Sequence, residues 1–253
     1  MPKTVDDHYA HLLGPVYTWM AGDIDAAFLR SEAELDVLPP AADSAMAVDL
    51  GAGFGLHSIP LARRGFSVLA LDNCEVLLQD LRQRAGSFPI RVTNENLLNF
   101  KAHLTAPVDV ILCMGDTLTH LPDQSNVETL FKNAAAALNS GGVFVATFRD
   151  YVTAPLEDDA RFIPVRNDAD RILTCFLEYA DTTVTVHDLL HEREGRSWKL
   201  HVSSYRKLRL APQWVAQQLS SLGLEVVSDT VPGRMVRITA RQPAASAAAD
   251  LSK

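Results

Sequence analysis

Val48-Asp49-Leu50-Gly51-Ala52-Gly53-Phe54-Gly55 is an apolar run that takes in one acid and then carries glycine at every second position. Met46 to Leu50 predicts a buried strand, the glycines a tight turn, and Leu56 to Arg64 a helix closed by Gly65. Glycine lets backbone approach a ligand closely, and the helix that follows offers unpaired N–H groups, so a nucleotide-like ligand is expected here. A dinucleotide fingerprint would need its third glycine where Leu56 stands, and a phosphate loop would need a Gly-Lys-Ser/Thr ending that is absent. Asp72 closes the next predicted strand, about 20 residues on, where an acid can accept from both ribose hydroxyls.

Outward from this turn the pattern repeats. Strands are predicted at 66–71, 89–93, 108–114 and 143–148, with helices at 75–85 and 124–138, the last stopped by Asn139-Ser-Gly-Gly142. Alternating strands and helices joined by short turns predict parallel βαβ units, a doubly wound sheet with helices on both faces. After Tyr151 the period shortens to two: 171–179, 182–192 and 198–210 read as an inserted antiparallel meander. A helix at 212–222 and strands at 224–230 and 235–240 then complete the α/β core. The expected units are a helical lid (1–40), a core (41–150), a substrate-side cap (151–210), the core's completion (211–241) and a frayed tail (242–253).

The chain of 253 residues is 47% hydrophobic and carries a formal charge of −8, so it can bury a core and has no net field suited to gripping nucleic acid. No apolar run reaches the roughly 18 residues of a membrane span. Three unpatterned cysteines, Cys74, Cys113 and Cys175, give no disulfide framework, and the start lacks a secretory apolar region, so a reducing cytoplasm is expected. His187, His191 and Glu192 lack a chelating pattern, and no metal is expected.

The first motif and Asp72 resemble the class I S-adenosylmethionine-dependent methyltransferases, whose seven-stranded Rossmann-like fold this implies. Four further stretches resemble one branch of them, the glycine and sarcosine N-methyltransferases. They are 110–123 after the fourth strand, Phe148-Arg149-Asp150-Tyr151 after the fifth, the meander with Ser203-Ser204-Tyr205, and Trp19-Met20-Ala21-Gly22-Asp23 near the start. The resemblance implies S-adenosylmethionine as cofactor and a small-molecule acceptor, with no nucleic acid or membrane partner and a possible homo-oligomer. It places Asp49, Gly51, Ala52, Gly53 and Gly55 along the cofactor turn, Asp72 and Asn73 at the ribose, Asn96 and Leu97 at adenine, and Met114 beside them.

In-line transfer of a methyl group requires a bare lone pair held about 3 Å from the methyl carbon, so orientation is the protein's main task. Asp116 and His120, after a central strand, are expected to face the acceptor, with Asp116 as a carboxylate suited to a cationic amine or else a turn cap. Arg149 matches a position that binds an acceptor carboxylate, or else pairs with Asp150. Tyr151 and Tyr205 either line the acceptor pocket or serve as core. Tyr9, Tyr17 and Trp19 either close over the sulfonium or pack helices. Lys199, Arg206, Lys207 and Arg209 read as the solvated side of a strand. An amine is the expected acceptor; transfer to oxygen or sulfur and a non-catalytic cofactor-binding protein are the alternatives.

Overall fold

A computed structural model describes residues 3–231 and 235–244. The N-terminal arm runs α1 (Val5–His8), one π-helical turn (Tyr9–Leu13) and α2 (Gly14–Ala21), then α3 (Ile24–Glu34) after a break at Gly22. The α/β core follows as β1 (Met46–Leu50), α4 (Ser58–Arg63), β2 (Ser67–Asp72), α5 (Glu75–Ala85), β3 (Ile90–Asn94), β4 (Val108–Cys113), α6 (Gln124–Ala137) and β5 (Leu138–Arg149). Next come β6 (Phe162–Asn167), β7 (Arg171–Tyr179), β8 (Thr183–Glu194) and β9 (Ser197–Leu208). α7 (Pro212–Ser221), β10 (Glu225–Val231) and β11 (Met235–Arg241) end the ordered elements.

Seven strands form one sheet in the order β10-β11-β5-β4-β1-β2-β3, parallel except that β11 runs antiparallel to both neighbours. The strand order reverses between β1 and β4, and in open α/β sheets ligands bind at such a switch point, outside the carboxyl ends of the strands. Two apolar clusters pack the faces. One carries Phe100, Phe131, Phe144 and Phe148 under α6 and α7, and the other Leu35, Leu61, Phe66 and Leu81 under α3, α4 and α5.

The predicted meander is a four-stranded antiparallel sheet, β6-β7-β8-β9. Its first strand was not expected, because Pro164 and a register shift beside it break the alternation on which strand prediction rests. The turn expected at 139–142 is instead the irregular beginning of β5, with Gly141 at φ +77°. Gln242 is not frayed: its N–H donates to the Gly142 carbonyl and its carbonyl accepts from the Gly141 N–H, extending the pairing past β11. The rest of the expected tail, from 245, lies outside the described residues. Among the described residues no helix is long and apolar enough to cross a membrane.

Contacts along its length hold the arm over the carboxyl ends of the strands. The Lys3 N–H donates to the Ser204 carbonyl on β9, Thr18 donates to Asp80 on α5, and the buried His8 docks into the cap. Gly14 permits the π-turn, because a Cβ there would meet the Tyr9 carbonyl oxygen at 2.6 Å and the Cys74 sulfur at 3.0 Å.

Candidate active site

The arm, the strand ends and the cap enclose one cavity of about 710 Å³. One end is made largely of backbone. The N–H groups of Gly51 and Ala52 both donate to the Leu71 carbonyl, which ties the turn after β1 to the end of β2. Gly51 (φ +75°) and Gly53 (φ +53°) adopt left-handed backbone, and a Cβ on Gly51 would lie 2.5 Å from the Thr117 methyl. Asp72 accepts from the Gly53 N–H at 2.9 Å and the Cys74 N–H at 2.8 Å, and burial raises its carboxyl above the usual range. Each of its oxygens keeps a lone pair for a ligand hydroxyl. Asn73, Asn96, Leu97 and Met114 line this end, as does Glu95, which sequence reading passed over. Asn73 donates to Asp6 of the arm, and the Asn96 side chain caps the following turn by accepting from the Leu98 N–H.

Asp49 and Gly55 lie behind this wall. Asp49 is buried and accepts from Ser58 at 2.6 Å, holding the start of α4. Gly55 is a packing position, since a Cβ there would meet Leu81 at 2.4 Å. Both shape the turn from outside the cavity.

The other end is made of side chains drawn from segments far apart in the chain. His120, Tyr9, Tyr17 and Lys207 line it, together with Lys3 and Arg206 at its margin. The rings of Tyr9 and His120 meet edge to face at 5.6 Å, Tyr9 and Tyr17 lie 5.8 Å apart, and Tyr17 abuts Phe54 at 6.0 Å. His120 Nε2 is sealed from solvent without a hydrogen-bond partner, and burial, reinforced by Lys207, pushes its pKa down to about 3. The imidazole is therefore neutral at physiological pH and can accept a proton donor.

Asp116 does not face the cavity as a free carboxylate. It stands in left-handed backbone (φ +77°) and accepts from the Lys207 ammonium at 2.6 Å, the Tyr151 hydroxyl at 3.1 Å and the Arg149 N–H at 2.9 Å. Burial alone would raise its carboxyl, but Lys207 outweighs this and holds it below the usual carboxylate value. A carboxylate so engaged is a structural anion rather than a proton acceptor. Tyr151 is thus the buried clamp on Asp116, and Tyr205 is core, stacked on His8 at 4.2 Å.

Arg149 and Trp19 depart from expectation. The Arg149 side chain is exposed and does not line the cavity, whereas its backbone N–H donates to Asp116. The Trp19 indole turns away to donate to Asp168 and lies between Arg166 and Arg171, fastening the arm to the β6–β7 turn.

Two residues that matter here were missed. Lys207, read as solvated, is 8% exposed and paired. The signal was parity: Ser203, Tyr205 and Lys207 share one face of β9, and both Ser203 and Tyr205 face inward. His8 stands at near-helical spacing with Tyr9, Leu12 and Leu13 in the arm's inward cluster, but nothing local named its partners. Its two nitrogens lie 2.8 Å from Ser203 and 2.8 Å from Asp188, partners almost 200 residues away, and Asp188 also accepts from Cys175. His187 and His191 assemble no ion site; His187 contacts Glu178, and no group of three metal-ligating side chains occurs among the described residues.

Residues 47–142 match the family model of the methyltransferase domain. Mouse glycine N-methyltransferase is 31% identical over 117 residues, an alignment covering 41% of this chain and 40% of that protein. The CcbJ methyltransferase of Streptomyces caelestis superposes with a TM-score of 0.73 at 21% identity, covering 93% of this chain and 98% of that one. CalS10, an amino pentose methyltransferase of Micromonospora echinaspora solved with S-adenosylmethionine bound, superposes at 0.68 with 16% identity, covering 90% and 95%. The chain has the class I methyltransferase fold, and the matched stretch is under half of its length.

Proposed function

We propose that this chain transfers a methyl group from S-adenosylmethionine to the nitrogen of a small-molecule amine. The observation that carries this reading is a single cavity with two unlike ends: a glycine turn with Asp72 at one, and a neutral, unpaired imidazole at the other. The residues present fit the donor, since left-handed Gly51 and Gly53 give close backbone approach and Asp72 retains acceptor capacity for a ribose diol. S-adenosylmethionine bound there would supply a methyl carbon activated by its sulfonium.

Every other task falls to the chain. Asp72 and the Gly51–Gly53 turn seat the donor, with Asn96 and Leu97 beside its adenine. A shift of the side chains that seal His120 Nε2 would let it accept an N–H of the acceptor and so aim the nitrogen lone pair, relieving the penalty of a buried unpaired nitrogen, about 1–3 kcal/mol. Tyr9 and Tyr17 wall off water. A base as weak as His120 does not deprotonate an ammonium, so the acceptor enters as free amine and its departing proton leaves with product to solvent. The enclosing arm and cap favour small acceptors over polymers. Mouse glycine N-methyltransferase and the amino pentose enzyme, both named for amine-bearing small molecules, support nitrogen as the target.

Incubation of the purified chain with S-adenosylmethionine and a panel of small amines, read by mass spectrometry, tests this. Methylated amine that disappears in His120→Ala supports it. Methylation of matched alcohols or thiols but not amines contradicts it.

A further inference from the structure

We infer that the outer face of the cap sheet is an interface between two copies of this chain, packed face to face across a two-fold axis. The inference stands apart from what the cavity binds.

The register of β6 to β9 decides which side chains share that face. Phe176 pairs with Phe162 on one side and His187 on the other, and Leu189 pairs with Thr174 and Val202, so these lie on one face; Asp188, Ser203 and Tyr205 lie on the opposite face and are buried. An antiparallel sheet with one solvated face places polar residues there. The outward positions of β9 are instead Trp198, Leu200 and Val202, which with Ile172 and Phe162 are 40–58% exposed. Single exposed apolar side chains are ordinary. Five on one sheet face, beside a groove of about 370 Å³ lined by Phe162, Phe176, Leu189 and Val202, mark a surface that another molecule covers.

Size and charge point to a second copy. Four strands of 6, 9, 12 and 12 residues give a projected face of roughly 600 Å², at about 3.3 Å per residue and 4.8 Å between strands. Each partner of a stable pair buries about 800 Å² of accessible surface, which a projection of that size supplies once its protruding side chains are counted. Charge is opposite at the two ends of the face. Along the paired rows Leu189 stands midway, with Glu178 two rows to one side and Arg193 two rows to the other. Their contacts within the chain, Glu178 with His187 at 3.2 Å and Arg193 with Asp170 at 3.9 Å, leave both side chains substantially exposed. A two-fold axis lying across the strands at Leu189 sets Glu178 of one copy near Arg193 of the other, Ile172 over the Phe162–Phe176 groove, and Leu189 and Val202 against their own counterparts. A face bearing both signs is not the cationic rim that an anionic membrane selects.

Analytical ultracentrifugation of the purified full chain across the micromolar range tests this. The chain is expected to sediment as a dimer. Leu200→Glu/Val202→Glu should raise the dimer dissociation constant by roughly a hundredfold or more, whereas Val227→Glu, equally exposed but on β10, should leave it unchanged. Glu178→Arg and Arg193→Glu should each weaken the dimer, and the two together in one chain should restore it, because the axis brings the exchanged charges back together. If Leu200→Glu/Val202→Glu does not fold by circular dichroism, the charge variants decide, since they alter only exposed side chains. A chain that stays monomeric throughout overturns the inference, whether or not it binds vesicles of phosphatidylserine and phosphatidylcholine. A dimer that survives the Leu200/Val202 change in a folded chain, or that the paired charge exchange fails to restore, overturns it as well.

Discussion

The two ends of the cavity are built by different means. At the strand-end side, geometry is set by backbone: Gly51 and Ala52 both bond the Leu71 carbonyl, and Gly53 bonds Asp72, all within two consecutive βα units. At the cap side, geometry is set by side chains whose partners lie about 90 to 195 residues apart, as in Lys207–Asp116 and His8–Ser203. Backbone geometry of the first kind tolerates substitution of most side chains and fails at glycine. A side-chain network of the second kind fails wherever one partner is removed.

The largest effect is expected where a charge would be stranded. Lys207→Met leaves Asp116 buried without its cation and should cost about 3–5 kcal/mol in denaturant unfolding, most of it recovered in the Lys207→Met/Asp116→Asn double variant. A loss below 1 kcal/mol, or no recovery, would erase the contrast between the ends.

Gly51→Ala comes next. The strained φ and the 2.5 Å approach to Thr117 should cost about 1–3 kcal/mol and abolish donor binding in calorimetry. Gly86→Ala, also at positive φ but with no atom within 4 Å of the added carbon, should cost only the backbone strain, about 1–2 kcal/mol, and spare binding.

The acid response sharpens the comparison further. His120 has a folded pKa of about 3 against an ordinary value near 6.5, so the unfolded chain takes up a proton that the folded chain refuses. Its contribution is therefore a loss of stability as pH falls from about 6.5 towards 3. At pH 5, His120→Asn should recover about 1–2 kcal/mol relative to its effect at pH 8, read by urea unfolding at both values. An equal effect at both would mean the imidazole is not held neutral. Smallest of all, Trp19→Phe removes one exposed contact to Asp168 and should shift stability by under 1 kcal/mol, leaving acceptor KM unchanged.

The contrast also explains what could be read beforehand. Local signals predicted β1, α5 and the glycine turn almost to the residue, because hydrophobic period and glycine placement are properties of neighbours in the chain. Asp72 was legible for the same reason, as it ends the next strand. Asp116 was expected either to face the acceptor or to cap a turn, and its engagement by Lys207 was not legible because that partner arrives from another sheet. Arg149 was expected to bind an acceptor carboxylate or to pair with Asp150; its side chain does not line the cavity, while its backbone N–H donates to Asp116. His8 was legible only as part of the arm's inward cluster with Tyr9, Leu12 and Leu13, since its partners Asp188 and Ser203 arrive from the cap.

Isothermal titration of the purified chain with S-adenosylmethionine tests most directly whether the glycine turn and Asp72 seat that compound. Saturable heat is predicted, lost in Gly51→Ala and weakened roughly tenfold in Asp72→Asn. No heat with S-adenosylmethionine, alongside clear binding of a nicotinamide or flavin dinucleotide, would contradict it.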